Sequence, residues 1–101
     1  MGIAEKISVP TQKEEWWAWH KENPHVWRLF EKFTFEAIEA GHERLSAWFI
    51  VNQIRWETTV KTTGKFKIKN EYIAYYARLF MAVHPQYSEP KLFTTKRMKD
   101  E

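Results

Sequence analysis

Residues 55–70, RWETTVKTTGKFKIKN, decide the fold class, because the chain changes there from helical to extended chemistry. Five β-branched residues lie between positions 58 and 63 and favour an extended backbone. Gly64 then offers a turn. After it, lysines alternate with Phe66 and Ile68, which places the apolar side chains on one face of an extended segment and the lysines on the other. This stretch therefore predicts a short β-hairpin.

The first helix before this hairpin is predicted from its end signals. Thr11 and Glu14 have the spacing of a capping box, in which each side chain bonds the backbone N–H of the other residue. The helix is predicted from about residue 12 to 22. It ends at Asn23, because the residue before Pro24 is pushed out of the helical region. The same Asn–Pro pair starts a second, amphipathic helix.

Three further end signals predict the remaining helices. Gly41 ends the second helix, since glycine adopts the left-handed conformation at little cost. Ser46 caps a third helix, which is apolar nearly all round and is therefore either central to the fold or covered by a partner. Asn70 caps a fourth helix, whose outward side is predicted to show Tyr75 and Arg78.

This order of elements predicts a mainly α fold of the α+β class. We expect a compact helical domain of about four helices, with a short, winged-helix-like β-hairpin between the third and the fourth. A chain of 101 residues has room for one core, so a single domain is predicted over 11–93. Residues 1–10 are predicted to be a flexible arm and 94–101 a basic flexible tail, with Leu92 and Phe93 docked on the core.

Composition argues against catalysis and against a bound cofactor. The chain has no cysteine, which excludes thiolate metal sites and favours a reducing, cytoplasmic compartment. Glu39 and His42 have the E-x-x-H spacing of di-iron bundles, but Gly41 interrupts the helix between them. Glycines occur only three times, so no phosphate-binding loop is present. We therefore expect no catalytic residues, no metal and no cofactor.

The basic residues are concentrated in the second half of the chain. Residues 1–54 hold six Lys/Arg against eight Glu, whereas 55–101 hold ten against five acids. Such asymmetry favours an anionic partner. The leading hypothesis is a non-enzymatic nucleic-acid-binding accessory protein, and the alternative interpretation is that the lysines only solubilise the hairpin. The candidate nucleic-acid contacts are Arg55, Lys61, Lys65, Lys67, Lys69, Tyr75 and Arg78.

Six tryptophans suggest a second hypothesis, in which the chain binds a protein. Trp48 and Trp56 are difficult to bury on a helix that also buries Ile50 and Ile54, so one of them is a candidate exposed anchor of a protein interface. Trp56 also ends a largely buried helix, and a structural role for it stays open. The other four are predicted to be core residues: Trp16, Trp17, Trp19 and Trp27. No apolar run approaches the roughly 20 residues that span a bilayer, so no membrane partner is expected.

Three strings and several single residues of the chain carry a resemblance. They are Asn23-Pro24-His25-Val26, Ile54-Arg55-Trp56-Glu57-Thr58 and Phe66-Lys67-Ile68, with Asn70, Tyr75, Ala77, Arg78, Leu79 and Phe80. Together they resemble a family of small phage and prophage proteins of unassigned activity. The resemblance covers roughly residues 15–97, implies expression in a bacterial host cytoplasm and implies no catalytic residues. Within this context, the protein-binding alternative is a protein that modulates a host defence or replication factor.

Overall fold

The described residues of the chain form four α-helices and a short 3₁₀ turn. The computed structural model describes residues 11–61, 67–88 and 91–93, with side chains described up to residue 58 in the first range. The predicted arm 1–10 and tail 94–101 lie outside these ranges. The elements are α1 (Gln12–Glu22), α2 (Pro24–Glu39), α3 (Ala47–Lys61), α4 (Tyr72–Val83) and the 3₁₀ turn Pro85–Tyr87.

The capping box of α1 is confirmed. The backbone N–H of Glu14 donates to Thr11 Oγ1 at 3.1 Å, and the backbone N–H of Thr11 donates to Glu14 Oε1 at 2.9 Å. The helix ends before Pro24, as predicted. Asn23, however, makes no side-chain cap for α2. Its Nδ2 donates instead to the carbonyl of Trp19 at 2.8 Å and so closes the C-terminus of α1.

The ends predicted between α2 and α3 are also confirmed. Gly41 has a φ of 106°, a left-handed conformation that terminates α2 without the steric penalty of a Cβ. Ser46 then caps α3, because its Oγ accepts from the backbone N–H of Phe49 at 3.3 Å. This satisfies one of the orphan donors of the first turn.

The predicted hairpin is wrong, and the fold is all-α instead of α+β. α3 continues through Thr58 to Lys61, and none of the residues 11–61, 67–88 and 91–93 forms a strand. Thr58 Oγ1 donates to the carbonyls of Ile54 and Arg55 at 2.9 and 3.2 Å. Its hydroxyl is thus satisfied within the helix, and the weak helix propensity of threonine costs only a few tenths of a kcal/mol. Residues 62–66, with the predicted turn, lie outside the described ranges.

The alternation after the glycine nevertheless predicted side-chain direction correctly. Ile68 is buried, and Lys67 and Lys69 on either side of it are exposed. These three residues belong to neither a helix nor a strand. The lysines face water because Ile68 inserts into the helical core.

The core is centred on α4, whose Tyr76 and Phe80 are fully buried. Phe30 of α2 stacks on Tyr76, with 5.8 Å between the ring centroids. Leu92 and Phe93 dock on this core, as predicted, and the backbone N–H of Leu45 donates to Leu92 O at 2.8 Å. The remaining buried side chains include Val26, Thr34, Ala47, Ile50, Val51, Ile54, Tyr72 and Ala77.

Across the described part of the chain, no helix has the length and apolar character needed to cross a bilayer.

Candidate interaction surface on the third helix

One side of α3 presents large apolar side chains to solvent. Trp48, Phe49 and Trp56 are exposed to 61%, 58% and 72%. Asn52 and Gln53 lie between them in the sequence and are partly exposed. We call the surface formed by these five residues the α3 face.

The spacing of apolar residues along α3 explains why it has two apolar sides. Ile50, Val51 and Ile54 follow the helical period and are buried against α2 and α4. Trp48, Asn52 and Trp56 are spaced by four residues. They therefore lie along one side of the helix, away from the buried Ile50, Val51 and Ile54. α3 cannot turn both sides inward at once. The structure therefore exposes both tryptophans, where the sequence predicted one exposed anchor.

The α3 face borders a shallow depression of 280 Å³. Phe33 of α2 forms its far wall, and Glu57 is the charged group among its described lining residues. The amide of Asn52 is held in place, because its Nδ2 donates to the carbonyl of Trp48 at 2.7 Å. Phe49 belongs to this surface although the sequence did not single it out as a site residue. The near-continuous apolar character of the helix was the signal that it needed a partner.

Arg55, a predicted phosphate contact, has a structural role. Its Nη2 donates to the carbonyl of Ile68 and to Asn70 Oδ1, the latter at 2.8 Å. The guanidinium therefore ties α3 to the segment that leads into α4. The prediction that Asn70 caps α4 is wrong. The residue at the cap position of α4 is Glu71, which makes no side-chain cap.

Arg55→Met is expected to lower the free energy of unfolding by about 1–3 kcal/mol, because it leaves the part-buried Ile68 carbonyl without its donor and frees the segment that Arg55 holds against α3. Urea denaturation measures the change. Arg28→Met, at an exposed position of α2, is the matched control and should change stability by less than about 0.5 kcal/mol. Equal effects of the two substitutions would contradict the structural role of Arg55.

Tyr75 is buried, which corrects its predicted outward position. Its ring stacks on Trp16 with 5.3 Å between centroids and 21° between planes. α1 packs over this side of α4, and the period of α4 alone does not reveal which side α1 covers. Arg78 lines a cleft of 290 Å³ between α1 and α4, beside Lys13 and Trp17.

The predicted basic residues are thus divided between two regions. Arg55, Lys67 and Lys69 lie around the segment that enters α4, while Arg78 lines the α1–α4 cleft. The side chain of Lys61, and the whole of Lys65, lie outside the described part of the chain. Among the other predicted core tryptophans, Trp19 and Trp27 are partly buried, whereas Trp17 is 45% exposed, contrary to prediction.

A histidine is enclosed by aromatic rings between α1 and α4. His20 stacks on Trp16 with 5.5 Å between centroids, and its Nδ1 lies 3.2 Å from the hydroxyl of Tyr76. Burial lowers the pKa of His20 and raises the pKa of Tyr76 well above its usual range. Burial thus favours the neutral imidazole and the protonated phenol, which suits a hydrogen bond from the phenol to Nδ1.

This arrangement predicts a loss of stability in mild acid. The unfolded chain binds a proton at His20 near its ordinary pKa of 6.5, whereas the folded chain resists protonation there. Stability contributed by the neutral imidazole is thus complete above that pH and falls as the pH drops below it. Urea denaturation at neutral pH and in mild acid measures the loss of free energy of unfolding between the two conditions. This loss should be smaller for His20→Gln than for the native chain. His42→Gln, at an exposed position, should leave the native loss unchanged, and equal pH profiles for the native chain and His20→Gln would contradict the account.

Within the described ranges, no three side chains of His, Cys, Asp or Glu come together to hold a metal ion. Comparison of the chain with protein-family models, with curated proteins and with solved structures finds no match. The resemblance to phage proteins stays a prediction, and a functional proposal depends on the geometry described above.

Proposed function

We propose that the chain is a non-enzymatic protein-interaction domain that binds a polypeptide through the α3 face. The exposure of Trp48, Phe49 and Trp56 on one helix is the observation that supports it. Single exposed apolar residues are common on proteins, but contiguous aromatic patches mark interaction sites. Tryptophan is also the residue most enriched at the energetic centres of interfaces.

The size of the patch is adequate for binding. An aromatic side chain buries about 150–250 Å², so these exposed fractions leave on the order of 400 Å² of aromatic surface in water. At about 25 cal/mol per Å², covering it contributes roughly 10 kcal/mol before costs. Lost translational and rotational freedom costs about 4–15 kcal/mol. The aromatic surface therefore offsets much of that cost, and the matching surface of the partner adds to it.

The nucleic-acid hypothesis has less support from the geometry. Arg55 uses donors on Ile68 and Asn70, and buried Tyr75 is not available for stacking on a base. Lys67 and Lys69 stay exposed, and Lys69 Nζ lies 5.9 Å from the ring centroid of Tyr72. Affinity for a nucleic-acid backbone comes from cations, and the α3 face contains none. Protein binding is therefore the function that the described surface favours.

Site-specific photo-cross-linking tests the proposal. A photoreactive phenylalanine is placed at position 56 of the full chain, in cells that encode it, and at position 17 as the control, because Trp17 is exposed on α1. We expect a covalent polypeptide adduct from position 56 that is absent or much weaker from position 17. The proposal fails if position 56 gives no more adduct than position 17.

A further inference from the structure

We propose that the partner of the α3 face is a second copy of this chain. Two α3 helices would pack antiparallel across a two-fold axis that passes beside Asn52. This inference rests on the proposed function and specifies its partner. It follows from the arrangement, charge and hydrogen bonding of the α3 face.

The two tryptophans of the α3 face are placed symmetrically about Asn52. Trp48 and Trp56 lie four residues before and four residues after Asn52. A two-fold interface uses the same patch twice, so residue i contacts residue j and j contacts i. An antiparallel pair centred on Asn52 places Trp48 of each copy against Trp56 of the other. Binding to an unrelated protein imposes no such symmetry.

Trp48, Asn52 and Trp56 also form a helix ridge. A ridge of this spacing can pack against the same ridge of a second helix. Side chains spaced by four residues form one of the two principal ridges of an α-helix. Ridges of this type on two helices interdigitate when the axes cross at about −50°, which is the commonest packing class in globular proteins. Over this ridge the tryptophans are about 12 Å apart, since each residue rises 1.5 Å. Both fit within one helix crossing.

The charges of the face allow a second copy to approach. All five residues of the α3 face are uncharged. The nearest cation, Arg55, lies at the edge of the face, where its guanidinium donates to the Ile68 carbonyl and to Asn70. Glu57, at the edge of the depression, lies five residues from Asn52 and therefore well away from the proposed axis. In the antiparallel arrangement, the two copies of Glu57 lie at opposite ends of the interface. The net charge of +3 adds only modest repulsion between copies.

Asn52, at the centre of the proposed interface, keeps its hydrogen bonds when water is excluded. Its Nδ2 donates to the Trp48 carbonyl, and its Oδ1 accepts from Arg55 Nη1 at 3.4 Å. The amide thus keeps partners within its own chain when the face is covered, which avoids the cost of an unsatisfied buried polar group. The aromatic surface of on the order of 400 Å² is about half of the 800 Å² that each partner contributes to a standard interface. Asn52, Gln53 and Phe33, which are partly exposed and line the same depression, add further area.

Sedimentation equilibrium of the purified full chain tests the inference. We expect twice the mass of 12.3 kDa at a concentration on the order of 100 µM, above the micromolar dissociation constants of weak interfaces of this size. Trp56→Glu should sediment as a monomer, because it places a charge in the contact. Trp17→Glu, at an exposed position outside the α3 face, should stay dimeric. A monomeric native chain, or a dimer that survives Trp56→Glu, overturns the inference.

The absence of native cysteine allows the orientation to be tested separately. Gln53→Cys and Glu57→Cys chains, which keep both tryptophans, are each treated with a short bis-maleimide. Antiparallel packing about Asn52 predicts a strong covalent dimer from Gln53→Cys, whose two copies lie beside the axis, and a weak one from Glu57→Cys, whose copies lie about 15 Å apart along the helix. Equal products from the two chains would overturn the antiparallel arrangement.

The two proposals fail in different ways. If the native chain is monomeric but position 56 cross-links to a different protein in cells, the second-copy inference fails and the interaction function stands. If position 56 cross-links to nothing and the chain is monomeric, both fail.

Discussion

Phe80→Ala is expected to lower the free energy of unfolding by about 3–5 kcal/mol, a large part of the 5–15 kcal/mol that stabilises an ordinary domain. Phe80 is fully buried, and its ring contacts rings from three parts of the chain: Phe35 at 5.3 Å, Phe93 at 5.7 Å and His84 at 4.6 Å between centroids. Removing it leaves a cavity that these neighbours fill only in part. Urea denaturation followed by circular dichroism measures the loss.

Val83→Ala is the matched control, because Val83 lies on the same helix but is 50% exposed. It should change the free energy of unfolding by no more than about 0.5 kcal/mol. If Phe80→Ala costs no more than Val83→Ala, the core is not centred on α4 and the described packing is wrong.

The double substitution Trp48→Ser/Trp56→Ser is expected to abolish self-association without unfolding the chain. Each tryptophan, as an interface anchor, should contribute about 2 kcal/mol or more to binding, which is roughly 30-fold in the dissociation constant. Both are largely exposed in the single chain. Their removal should therefore change the free energy of unfolding of the monomer by less than about 0.5 kcal/mol.

The dissociation constant is measured by sedimentation and the stability by urea denaturation in dilute solution. Trp17→Ser serves as the control for loss of an exposed tryptophan outside the α3 face. It should leave the dissociation constant unchanged. Equal weakening by Trp17→Ser and by the double substitution would indicate non-specific association of aromatic side chains. Strong destabilisation of the dilute monomer would instead mean that Trp48 and Trp56 are structural residues.

Local end signals made the first half of the fold predictable. The capping box at Thr11 and Glu14, the break at Pro24, the stop at Gly41 and the cap at Ser46 each depend on residues within a few positions. Such interactions are encoded in short stretches of sequence. They require no knowledge of which helices meet.

The errors arose where helix propagation or a tertiary contact overrides the preference of single residues. Thr58 and its β-branched neighbours favour extended backbone, but the helix continued because each added residue gains a hydrogen bond at small cost. Asn70 has the chemistry of a helix cap, yet Arg55, fifteen residues earlier, uses its oxygen. No local pattern reports a contact across that separation.

The candidate site was predictable in part, for a related reason. Apolar residues all round α3 indicated that one side needed a partner, which made Trp48 and Trp56 candidate anchors. Burial of Tyr75 was missed because it depends on where α1 packs, and Arg55 was assigned to a ligand because its partners at positions 68 and 70 are not visible in the sequence. A basic side chain can bind a ligand only with hydrogen-bond donors that the fold does not already use.

The proposed function requires that polypeptide covers the α3 face when the chain functions. Radical footprinting of the three exposed tryptophans tests this requirement within a single molecule, in cells and in dilute purified protein. We expect Trp48 and Trp56 to be labelled much less in cells than in dilute solution, while labelling of Trp17 stays the same. Equal labelling of Trp48 and Trp56 under the two conditions, relative to Trp17, would contradict it.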